Sequence, residues 1–151
     1  MNYAGKKKQR GSSLLEVLIA VLVLAIGMLG MAALEMVTLK NSNSAAARSQ
    51  AVIQLYSAFD LMRLNRDVAT SGAYNVADWT CTSMVAADPD AKNDYSLFNA
   101  WLGGVQSSLG DPAACGRISC GADECTVGIR WDDSRATGGG EEMEIETSSR
   151  L

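Results

Sequence analysis

From Leu14 to Leu34 apolar side chains follow one another almost without a break, with Glu16 the one charged residue among them. Val17 to Leu34 is eighteen residues free of charge. That run makes about 27 Å of helix at ~1.5 Å per residue, close to the thickness of a hydrocarbon core. Beyond Glu35 the pattern turns amphipathic: Val52, Leu55, Phe59 and Met62 recur at steps of three and four, the spacing of one helix face. Asn41, Ala45 and Arg48 hold the same register upstream but are small or polar, so the stretch from Lys40 to Ser49 is expected to face solvent or pack loosely. No proline occurs before Pro89, and a single helix from about Ser13 to Arg66 is predicted. Its front half suits lipid or helix neighbours, and its back half carries a stripe on which a domain can sit. Gly27 and Gly30 interrupt the apolar half at a cost of ~0.5–1 kcal/mol each against alanine. They fit either close helix packing or a segment that loosens on leaving lipid.

After Arg66 small and polar residues dominate "ATSGAYNVADWTCTSMVAADPDAKND", which reads as loop with a short strand. "DYSLFNAWLGGVQSSLG" predicts a helix capped by Asp94, with Phe98, Trp101, Leu102, Val105 and Leu109 as its apolar face and Gly110 and Pro112 as its stop. In "CTVGIRW", Cys125, Val127, Ile129 and Trp131 alternate with Thr126, Gly128 and Arg130, the period of a half-buried strand. "RISC" places Ile118 and Cys120 on one face, "GADE" can turn the chain into a hairpin, and "MEIET" offers a third strand. The expected class is α+β, with a small antiparallel sheet packed on the back half of a long helix.

Charge and cysteines sharpen this picture. Lys6, Lys7, Lys8 and Arg10 precede the apolar run and only Glu35 and Lys40 follow it closely, so the positive-inside bias puts the N-terminus in the cytoplasm. A secretory signal usually has an apolar region of about 7–15 residues and a small-x-small cleavage site; this run is longer and continues into helical sequence, which favours an anchor. Without residues 1–11 the chain holds nine bases against seventeen acids, a net of −8, which argues against a broad nucleic-acid surface. Cys81, Cys115, Cys120 and Cys125 all lie on the side expected to be oxidising, so disulfides in one of three pairings are anticipated. The hairpin would set Cys120 opposite Cys125, making that the first pairing to expect and Cys81–Cys115 the second by exclusion. The chain has no histidine, which removes the usual general base of Ser–His or Cys–His catalysis.

Glu16 stands out because a carboxylate in lipid is costly, about 2.5–3.5 kcal/mol at a helix centre and less near an end. Ser13-Leu14-Leu15-Glu16 fits a capping box, which accounts for an acid at a helix start. It does not account for the switch after Gly11 from four bases to none. "KKKQRG" followed by "SSLLEVLIA" resembles the signal of type IV prepilins: a basic leader, a glycine, then an apolar tract with Glu as its fifth residue. "NSNSAAARSQA", "FDLMRLNR", "SGAY", "YSLFNAWLGGV" and "CTVGIRWDD" are similar to the minor-pilin subfamily called PilV.

The resemblance implies a pilin fold and a division into a leader (1–11), a membrane and assembly helix (12–35), its amphipathic continuation (36–66) and a periplasmic domain (67–151). It implies that a prepilin peptidase cuts between Gly11 and Ser12, leaving 140 residues, and methylates the new amine of Ser12. It further implies that Glu16 meets the cationic amine of a neighbouring subunit, each neutralising a charge that lipid penalises. Ser12 stands where most pilins have phenylalanine, and Ala33 where major pilins commonly have proline. The implied partners are other minor pilins, the major pilin, the peptidase, the pilus assembly platform and the inner membrane, with no cofactor, nucleic acid or small-molecule substrate. The alternatives are a type II secretion pseudopilin, whose signal looks alike, and an anchored periplasmic domain that never polymerises. Asp88, Asp90 and Asp94 only partly match a calcium loop, since Lys92, Asn93 and Asn99 occupy key positions, and a solvated loop is expected. Asp132, Asp133, Glu141 and Glu142 are expected to form an exposed acidic rim, and Trp79, Trp101 and Trp131 to lie in the core.

Overall fold

The computed structural model describes residues 13–85 and 95–151. The cleavage and methylation positions Gly11 and Ser12, the basic leader, and Asp88, Asp90 and Asp94 lie outside the described residues.

The apolar and amphipathic stretches form one helix, α1 (Leu14–Leu64), of 51 residues. At ~1.5 Å per residue that is roughly 76 Å. It stops at Asn65, a residue or two short of the expected end, and a single further turn, α2 (Arg66–Thr70), follows. Compactness divides the chain between Thr38 and Leu39. In the first unit every large apolar residue from Leu14 to Val37 is exposed. This helix is long and apolar enough to cross a membrane.

In the second unit α1 buries Ala51, Leu55, Ala58, Phe59 and Met62. Val52, expected in the stripe, is 38% exposed, and the alanines at 51 and 58 take the inner positions. Small side chains there let the helix approach its neighbours closely, which a branched valine would prevent. Against this face packs α3 (Ser96–Leu109), which begins after Tyr95 and buries Phe98, Trp101, Leu102 and Val105. It runs through the Gly103–Gly104 pair and ends at Gly110, whose φ of 62° suits a residue without Cβ. The Asp111 N–H returns to the Gln106 carbonyl at 3.2 Å and the Gly110 N–H to that of Ser107 at 3.4 Å, closing a Schellman cap.

The remaining core wall is a four-stranded antiparallel meander in the order β1 (Val76–Thr80), β2 (Cys115–Cys120), β3 (Glu124–Trp131), β4 (Met143–Arg150). The fold is thus α+β, a long N-terminal apolar helix with a small antiparallel sheet. The hairpin register pairs Cys120 with Cys125, Ile118 with Val127 and Gly116 with Ile129. Disulfides join Cys120 to Cys125 and Cys81 to Cys115.

Trp101 locks the three layers together. Its indole N–H donates to the Gln54 carbonyl of α1 at 2.9 Å. Its ring lies on Gly116, where an added Cβ would stand 2.5 Å from Cζ3. Gly116→Ala is therefore expected to destabilise the domain by about 1–3 kcal/mol, because the ring has helix behind it and nowhere to retreat. Chemical unfolding of the detergent-solubilised chain, followed by tryptophan fluorescence, reads this directly.

Candidate functional site

The start of α1 carries the first group of candidate residues. The Glu16 N–H donates to Ser13, at 3.0 Å to the carbonyl and 3.2 Å to Oγ, so Ser13 supplies its side of the expected capping box. Only main-chain atoms of Glu16 take part in these two bonds. Glu16 shares a shallow face of α1 with Val17, Ala20, Val21 and Leu24. One turn further in, the helix carries only apolar side chains.

A second polar centre lies where the β3–β4 loop crosses α1. Asp133 is 6% exposed rather than part of an exposed rim. Its Oδ2 accepts from Ser44 Oγ at 2.6 Å and lies 3.5 Å from Arg48 Nη2. The Thr137 N–H adds a bond to Asn41 Oδ1 at 3.2 Å. Ser44 and Arg48 are one turn apart and present polar groups on one side of the helix. The stretch expected to face solvent is thereby pinned by a loop almost ninety residues away. Gly139 makes the crossing possible, since a Cβ there would fall 1.9 Å from the Asp133 carbonyl oxygen. Asp132 stays outside this knot, and its two hydrogen bonds with Ser134 hold its carboxyl below the usual carboxylate range. Beside the loop a groove of about 560 Å³ runs between α1 and the end of α3, with Lys40, Gln50, Asp111, Trp131 and Arg135 in its walls.

The outer face of the sheet holds a third arrangement. Trp101 and Trp131 are buried as expected, but Trp79 is only half-buried and lies on that outer face. The guanidinium carbons of Arg117 and Arg130 sit 4.8 and 5.2 Å from its ring centroid. Arg117 also pairs with Glu146, which together with the negative charges nearby raises its pKa above the ordinary arginine value. Arg130 pairs with Glu142 at 3.6 Å. Gly128 provides the gap, as a Cβ there would come 2.8 Å from the Trp79 ring. Alternation in "CTVGIRW" indicates that Arg130 and Gly128 face outward, but nothing local indicates that a tryptophan from another strand covers them.

The Ser44 hydroxyl and Arg48 share one carboxylate oxygen of Asp133, and the buried Trp131 indole N–H has no hydrogen-bond partner among the described residues. The described residues of the expected sites are Glu16, near the start of α1, and the four cysteines, which form two disulfides in the domain. Comparison with curated proteins and with solved structures finds no match. A family model, the prokaryotic N-terminal methylation motif, matches residues 6–32. Over those residues the chain is similar to the prepilin-type signal that type IV pilins and pseudopilins carry.

Proposed function

We propose that this chain is a minor pilin of PilV-like type, which takes part in initiating a type IV pilus and is built into it. The observation that carries this reading is the methylation motif at residues 6–32 running into an unbroken helix whose first half exposes all its large apolar side chains. A lone lipid-anchored helix would need only apolar length. The motif adds a cleavage glycine, Gly11, and an acid at the fifth residue beyond it, Glu16.

The sequence of events follows from charge. The chain waits in the inner membrane with residues 1–11 in the cytoplasm and its domain in the periplasm. Cutting between Gly11 and Ser12 removes four cationic side chains and creates one cationic α-amine. That amine and the Glu16 carboxylate of a neighbouring chain then neutralise each other as the helices bundle. The domain presents its loops to other minor pilins and to the major pilin, with the assembly platform supplying extraction. The role is structural; the only chemistry is what the prepilin peptidase does to the chain.

The intact mass of the membrane-extracted protein tests this. The expected species lacks residues 1–11, carries one methyl group on the Ser12 amine and is short of the hydrogens lost in two disulfides. An unprocessed N-terminus defeats the reading in favour of a non-polymerising anchor. The motif also fits a secretion pseudopilin, and deletion distinguishes the two by loss of pili or loss of secretion.

A further inference from the structure

The two edges of the sheet are built differently. On β1 the strand is only five residues long, and it loses register against β2 between Val76 and Thr80. It is followed at once by the disulfide at Cys81. Short length and a bulge are the usual protections of a strand edge against unwanted pairing. On β4, eight residues, "MEIETSSR", pair with β3 in continuous register, with no proline, glycine or lysine among them.

Which backbone groups β4 leaves open follows from the hairpin. The Gly121 N–H donates to the Glu124 carbonyl at 2.8 Å, making these two a hydrogen-bonded pair. Such pairs alternate with narrow ones along an antiparallel ladder. Cys120 and Cys125 are therefore a narrow pair, in keeping with their 4.0 Å Cα separation. The groups of Cys120 that turn away from β3 are indeed taken on the other side, by the Asn75 side-chain amide at 2.7 and 3.1 Å. By the same alternation Cys125, Val127, Ile129 and Trp131 bond toward β4, where they meet Ser149, Thr147, Ile145 and Met143. Glu144, Glu146 and Ser148 then turn their N–H and C=O groups outward, along an edge that no strand covers among the described residues.

We infer that the β4 edge docks an extended strand of a second, different protein, antiparallel to β4 and carrying basic side chains on the Glu144 face. Charge selects the occupant. Glu146 and Glu142 are paired with Arg117 and Arg130, but Glu141 and Glu144 make no ion pair among the described residues. The opposite face of the strand offers the half-buried Met143 and Ile145 to apolar neighbours. A second copy in the same orientation would present its protected β1 edge and the exposed Asp78, adding an acid to acids. A copy turned about a two-fold axis through Thr147 would set Glu144 opposite Arg150. Such a pair would be a dimer of this chain, which sedimentation separates from the binding of a different protein.

The inference needs only the folded domain, so its test is independent of fibre incorporation. The probe is a short peptide of alternating lysine and valine, titrated against the full chain in detergent. Saturable binding is expected, weakened roughly tenfold or more by Ser148→Pro, which removes one outward N–H and blocks the edge. Hydrogen exchange checks that this variant is folded: amides of Ile145 and Thr147 stay slow, while in the parent chain those of Glu144, Glu146 and Ser148 are fast. Glu144→Lys leaves the backbone alone and is expected to weaken the lysine peptide and favour its glutamate counterpart. Equal binding to the parent chain and Ser148→Pro overturns the inference, as does indifference to peptide charge. A sedimenting dimer of the parent chain that Ser148→Pro abolishes overturns it too, because the edge would then belong to a second copy.

Discussion

Replacing Glu16 with glutamine is expected to leave the chain in the membrane and to cut its share of the assembled fibre by roughly tenfold or more. Glutamine keeps the size and polarity of the side chain and removes only the charge. The bonds from its backbone N–H to Ser13 persist, so the helix start is unharmed. Membrane insertion becomes slightly easier, since the carboxylate is the one charged group between Leu14 and Leu34. Under the proposed function, what is lost is the counter-charge for a neighbour's amine. Breaking one partner of a desolvated pair costs about 3–5 kcal/mol, and a pair near the bilayer surface recovers part of this from water. Even ~1.4 kcal/mol changes the incorporated fraction tenfold. The measurement is the ratio of protein in sheared fibres to protein in membranes, for both variants at equal expression. An unchanged ratio removes the charge-pairing account and leaves Glu16 as a helix cap.

Phe59→Ala is expected to be the most damaging single change in the domain, at about 3–5 kcal/mol. Phe59 is among the largest side chains that the fold buries completely, and it sits on α1 facing the core. A domain of this size has about 5–15 kcal/mol of stability in total, so the variant is left with little or none of it at the low end of that range. Val52→Ala, on the same helix, is expected to cost under ~1 kcal/mol because its side chain already reaches water. The two variants, unfolded chemically in detergent, compare the two sides of one helix. A similar loss for both would mean that α1 is held by a different face from the one described.

Much of this molecule is readable along the chain. Uninterrupted apolar length and the absence of proline up to Pro89 are enough for α1, because helix hydrogen bonds are local and nothing breaks them. Alternation in "CTVGIRW" is enough for β3, and four residues of turn bring Cys120 against Cys125. The N-terminal signal is legible for the same reason, as the basic leader, Gly11, Glu16 and the apolar tract lie in one continuous stretch. Each of these features depends on neighbours within a few residues.

Tertiary structure decided what depends on distant partners. The helix periodicity admits both Val52 and Ala51 near the inner face, and only the closeness of α3 and the sheet selects the alanine. Asp133 belongs to an acidic run by composition, yet Ser44 and Arg48 draw it out of water. Trp79 has the hydrophobicity of a core residue, but the bulged register of β1 and the gap at Gly128 place it outside between two arginines. The open edge of β4 is likewise invisible until the strand order is known, since whether a backbone group is paired is a property of the sheet and of no single strand.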